Sequence, residues 1–103
     1  MPLEMLRSAI SDKRLVSFYY DGDQHPGMRV VEPHLIAYNL AGHLSLRAWY
    51  LSGASESFKG PGWREYLLQH VSDVILLHQN FASPRPGHNR TGGKEFHSVQ
   101  CAV

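Results

Sequence analysis

The chain has 103 residues, the length of one domain, and 43% of it is hydrophobic. Ten Lys and Arg stand against nine Asp and Glu, a formal charge of +1. That excludes the strongly basic balance of a protein that holds nucleic acid through overall charge. An anionic ligand must therefore meet a local patch. Seven of the ten basic residues are arginine, whose guanidinium forks onto phosphate and carboxylate. The single cysteine, Cys101, permits no internal disulfide. The first fourteen residues lack the continuous apolar run of a signal peptide. No stretch approaches the about 20 apolar residues that cross a bilayer. A cytoplasmic location, away from membranes, is the expectation.

The first element reads as a helix. Pro2 suits a first helical position, and Leu3, Leu6, Ile10 and Lys13 repeat at helical spacing, with Met5 and Ala9 widening the stripe. Asp12, Lys13 and Arg14 end it, the basic pair matching the negative end of the helix dipole. Residues 15–20 (LVSFYY) alternate as a strand, and Asp21-Gly22-Asp23 and Pro26-Gly27 are turn signals. Residues 28–38 resume as a long strand that Pro33 interrupts, which predicts a bulge, a bend or an edge there. Residues 39–42 form a hairpin loop. Residues 43–51 (HLSLRAWYL) form the clearest strand, with Leu44, Leu46, Ala48 and Tyr50 on one face and Ser45, Arg47, Trp49 and Leu51 on the other. The Gly- and Ser-rich residues 52–62 are expected to be a mobile loop. Residues 63–68 and 74–77 are two further strands about a tight turn at 69–73. Beyond Phe81 come Pro- and Gly-containing loops, with a short element at most in residues 95–103. The expected fold is mainly β, a small SH3-like or Sm-like barrel of about five strands with an N-terminal helix. Residues 1–81 form the barrel domain and 82–103 a tail that packs on it or does not.

Trp49-Tyr50-Leu51, Arg29-Val30-Val31-Glu32-Pro33-His34, Val16 to Gly22 behind a helix, and Gly62-Trp63-Arg64 with Tyr66 occur in an order that resembles the WYL domain family of bacteria. The resemblance covers residues 3–81. Pro84-Arg85-Pro86-Gly87 and Lys94 are similar to the tail of short, free-standing members. The resemblance implies a barrel and a role in ligand sensing and transcription regulation, usually behind a DNA-binding domain and elsewhere beside defence or nucleic-acid enzymes. It also implies a basic, aromatic-lined pocket for nucleotides or single-stranded nucleic acid. Here the helix begins at residue 3, so no DNA-binding domain is expected ahead of the barrel. Two positions that often carry arginine hold Leu67 and His70, and Gln69 stands where an acid is common. His70 restores charge in mild acid, its free pKa being about 6.5.

The candidate ligand-binding residues are Arg29, His34, Arg47, Trp49, Tyr50, Ser52, Arg64 and His70. A ring beside a guanidinium stacks a base and holds a phosphate. Tyr38 shares parity with His34, and a bulge at Pro33 can bring Arg29 to their face. Tyr50 is the least secure, since alternation turns it to the core. The plain alternative is that Trp49 packs on the N-terminal helix and Arg47 is merely solvated. Ser52, Ser55 and Ser57 line the loop ahead of Trp63 and Arg64, where hydroxyls and N–H groups can cap an anion. The seven histidines form no HExxH or tight His-x-His pair, and no nucleophile elbow, phosphate loop or dinucleotide fingerprint is present. No catalytic residue, metal or cofactor is expected. The partner expected is a nucleotide or single-stranded nucleic acid. The alternative is a protein-interaction module that pairs with itself as a homodimer through a strand edge.

Overall fold

The computed structural model describes residues 2–54 and 60–103. Helix α1, Pro2–Asp12, buries Leu6, Ala9 and Ile10, one stripe at helical spacing. Each leucine- or isoleucine-sized side chain so buried contributes about 1.5–3 kcal/mol. Lys13 ends the helix with its φ at 53°, its N–H reaching the Ile10 carbonyl at 3.2 Å. Arg14 does not serve the helix end. It opens the first strand, and its Nε donates to the Leu77 carbonyl at 2.8 Å.

Six strands follow, one more than alternation predicts: β1 Arg14–Tyr20, β2 Gly27–Asn39, β3 Leu44–Gly53, β4 Gly62–Leu67, β5 Val71–Asn80 and β6 Phe96–Ala102. They make one antiparallel sheet in the order β4-β3-β2-β1-β5, and β6 pairs with β2. One edge of β2 runs along β3. The other is shared, with Gly27 to Val31 facing β1 and Leu35 to Asn39 facing β6. The register of β2 on β3 slips between Pro33 and Leu35, the bulge expected where proline cannot donate to the ladder. The curled sheet is an open barrel, compatible with the SH3-like class. Its ends, β4 and β5, do not pair in the described residues and are joined by a 3-10 turn at Leu68–His70.

That turn is tighter and earlier than the turn expected over 69–73, and β5 is much longer than residues 74–77. The polar residues Ser72, Asp73 and His78 hid its extent, because β5 is an outermost strand with much of its surface in water. The inner face of the sheet packs Val16, Phe18, Val31, Ile36, Leu46 and Ala48 against α1. A second, smaller core of Leu35, Ala37 and Phe96 lies apart from it, with Val99 and Ala102 of β6 packed against it. Residues 82–95 cross the outer face between β5 and β6 and are called the strap below.

Candidate binding site

Strand alternation divides the predicted site residues between the two faces. Tyr50 is buried on the inner face with Leu46 and Ala48, whereas Arg47 and Trp49 occupy the outer face. Trp49 stands opposite both Glu32 and Trp63, and Arg47 opposite Leu35 and Glu65. Arg64 follows Trp63 and so shares the face of Tyr50.

On the inner face the rings of Phe18, Tyr20 and Tyr66 meet edge to face, with centroids 5.0 to 6.4 Å apart. Arg29 lies among them, 5.0 Å from the Tyr20 ring and 5.7 Å from that of Tyr66. It is 2% exposed. It pairs with Asp23 at 3.1 Å and donates to the His25 carbonyl at 2.6 Å, while its Nε meets no hydrogen-bond acceptor. Arg64 lies 5.2 Å from the Tyr50 ring and donates to the carbonyls of Trp63 and Gly60. The Tyr50 hydroxyl donates to the Gly53 carbonyl. Burial pushes the Tyr20 and Tyr66 hydroxyls above their ordinary pKa. Burial works against the Asp23 carboxylate too, but hydrogen bonds from Arg29 and the His25 N–H outweigh it and hold the pKa below the usual value.

The outer face is organised around Glu32 and His34, both buried. Arg85 of the strap forks onto Glu32, with Nε at 2.7 Å from one oxygen and the terminal nitrogen at 2.9 Å from the other. The same guanidinium lies 5.2 Å from the Trp49 ring. The His34 ring is fixed from both sides. Its Nε2 accepts the Arg85 N–H at 3.1 Å, and its Nδ1 meets the Glu32 carbonyl at 2.8 Å. This is the neutral imidazole with its proton on Nδ1. Burial holds its pKa below the ordinary value, and His88 and Arg85 push the same way. Phe81 stacks on His34 at 5.0 Å. The Trp63 indole N–H donates to the Pro86 carbonyl at 2.9 Å. Trp49 thus packs on Trp63, 5.5 Å away and edge to face, and on the strap arginine, not on α1.

Two open hollows meet at Arg47. One, of about 300 Å³, is lined by Arg47, Trp63, Arg64, Glu65 and Glu95. The other, of about 330 Å³, runs on past Arg47 to Asn89, Gly93 and Lys94. The Arg47 guanidinium lies 4.7 Å from the Trp63 ring, and its acidic partner is Glu95, 3.4 Å away and 74% exposed.

Of the eight predicted residues, the fold brings Arg29, Tyr50 and Arg64 together inside and His34, Arg47 and Trp49 together outside. Ser52 is exposed at the end of β3, opposite Val30. His70 sits on the 3-10 turn with Nδ1 3.0 Å from Asp21. Tyr38 stacks on His97 rather than on His34. Ser55 and Ser57 lie outside the described residues. Sequence reasoning missed Glu32 and Arg85 as partners. The signal was present, since an acid stands beside Pro33 and an arginine between two prolines. Among the described residues no three His, Cys, Asp or Glu side chains are grouped to hold a metal ion, and no helix is long and apolar enough to cross a membrane.

The chain is thus an open, helix-backed β-barrel with clefts lined by arginine and indole. The model of the WYL domain family matches residues 2–76, and the chain belongs to that family. No curated protein and no solved structure matches it. Domains of this family are generally ligand-sensing and regulatory.

Proposed function

We propose that the chain is a non-catalytic sensing module that binds an anionic, nucleotide-like ligand or a short single-stranded nucleic acid along the outer groove centred on Arg47. The supporting observation is the meeting of two hollows at a guanidinium whose acidic partner is a surface carboxylate at 3.4 Å. A phosphate offers Arg47 a stronger, forked partner than Glu95 does. Trp63 lies under that guanidinium and Lys94 at the far end of the groove, so a chain of phosphates can follow it. Arg29 and Tyr50 support the groove from the inner face and make no ligand contact in this reading.

Titration of the protein with nucleoside triphosphates and short oligonucleotides in low salt, read by indole fluorescence, tests this. Saturable quenching is expected, weakened about tenfold or more by Arg47→Ala and strengthened by Glu95→Ala. No response at millimolar ligand overturns it. A second reading, self-association through a strand edge, is favoured by β5, whose outer edge has no partner among the described residues and whose Ile75 is 53% exposed. Sedimentation of the wild type and Ile75→Lys separates the two readings.

A further inference from the structure

We propose that the outer face formed by Glu32, His34, Trp49 and Trp63 is a receptor for an extended Pro-Arg-Pro peptide of another protein, which the chain's own residues 84–86 occupy in the isolated molecule. This goes beyond the anion groove and shares only Trp63 with it.

Each part of the strap segment has a matched partner. Arg85 is read three ways: its guanidinium by the carboxylate fork and by the Trp49 ring, and its backbone N–H by His34 Nε2. The Pro86 carbonyl is read by the Trp63 indole N–H. Indole donors and aromatic surfaces that hold an extended proline-rich segment are the hardware of polyproline recognition. The ligand segment is itself preorganised. Ser83 and Arg85 each precede a proline and are kept out of the helical region. Pro86-Gly87 then turn the chain away, with the His88 N–H on the Arg85 carbonyl at 3.2 Å and Gly87 at φ 93°, as a type II turn requires. A Cβ on Gly87 would lie 3.0 Å from the Trp63 indole nitrogen, so the turn and the indole fit closely.

The strap sits on this face rather than within the fold. Ala82, Ser83, Pro84, Pro86 and Gly87 are exposed, and the Arg85 side chain is 40% exposed. A hollow of about 340 Å³ remains between Glu32, Phe81 and the strap, so the face is wider than the segment it holds. The Glu32 side chain, in contrast, is 6% exposed. A buried carboxylate stripped of its cation is strongly disfavoured. The receptor therefore does not stand empty; it exchanges one guanidinium for another. That requirement sets the chemistry of the partner: an arginine, held extended by flanking prolines, followed by a residue that lets the chain turn.

The test uses the full chain and a synthetic peptide with the sequence of residues 83–88, Ser-Pro-Arg-Pro-Gly-His. Wild type and Arg85→Ala are titrated, and the two indole N–H resonances are followed by NMR. Arg85→Ala is expected to bind saturably and at least tenfold more tightly than wild type, whose own strap competes. A peptide with alanine in place of arginine is expected to leave the Trp63 resonance unmoved. An unmoved Trp63 resonance in folded Arg85→Ala, or equal binding of the alanine peptide, overturns the proposal. Should Arg85→Ala fail to fold, hydrogen exchange of the Arg85 N–H in wild type replaces it. Excess peptide is expected to speed that exchange, and no change overturns the proposal. Concentration-dependent dimers of the wild type that trade straps would make a second copy the occupant and overturn it equally.

Discussion

The two faces of the sheet use the same pieces and reach opposite ends. Inside, Arg29 belongs to the sheet, lies among tyrosine rings at 5.0 and 5.7 Å, and pairs with Asp23. Outside, Arg85 comes from a strap, lies against a tryptophan ring at 5.2 Å, and pairs with Glu32. A guanidinium over a ring with a carboxylate beside it is thus not in itself a ligand site. What differs is which member of the pair is enclosed. Inside, the cation is enclosed and the acid reaches the surface; outside, the acid is enclosed and the cation comes from a segment that can leave. The first arrangement holds a barrel end together, and the second can exchange its partner.

This contrast is sharpest where an inner residue is removed. Arg29→Ala should cost about 3 kcal/mol or more of unfolding free energy in urea denaturation, because it breaks a buried ion pair and opens space among three aromatic rings. A loss below about 1 kcal/mol would show that the inner cluster is not structural.

Acid should act next, and through the outer face. The folded protein holds His34 neutral with its pKa below the ordinary value of about 6.5, so the unfolded chain binds the extra proton first. The contribution of His34 is whole above about pH 6.5 and declines as pH falls through that value, by at most about 1.4 kcal/mol per pH unit, until the folded pKa is reached. Protonation also puts an N–H where Nε2 accepts the Arg85 N–H, so the strap loosens first. Thermal unfolding of wild type and His34→Gln between pH 7.5 and 5 measures this, and an identical slope in the two would break the link. The smallest effect is expected at Arg47. Its 3.4 Å contact with an exposed acid contributes little, so Arg47→Ala should change stability by less than about 0.5 kcal/mol. A larger loss would make Arg47 part of the scaffold and not of a groove.

Much of the fold was legible because its strands bury one side of a period-two pattern. HLSLRAWYL separates Tyr50 from Trp49, and Pro33 marks its bulge. The division of the site by face follows from the same alternation. β6 was not legible. It pairs only with the far half of β2 and carries exposed His97, Ser98 and Gln100, so no apolar pattern marks it. Nor does any local rule join Glu32 to Arg85, which are 53 positions apart. Each stands beside proline in the sequence, but only the folded chain shows that they meet.

The shared edge of β2 has a consequence for handling the molecule. Shortening the chain ahead of Phe96, or crowding β6 with a fused partner, would strip Leu35 and Ala37 of their cover and leave one edge of Leu35 to Asn39 without its ladder to β6. An apolar strand margin bared in this way recruits other chains, so truncation there should yield clumped, insoluble material.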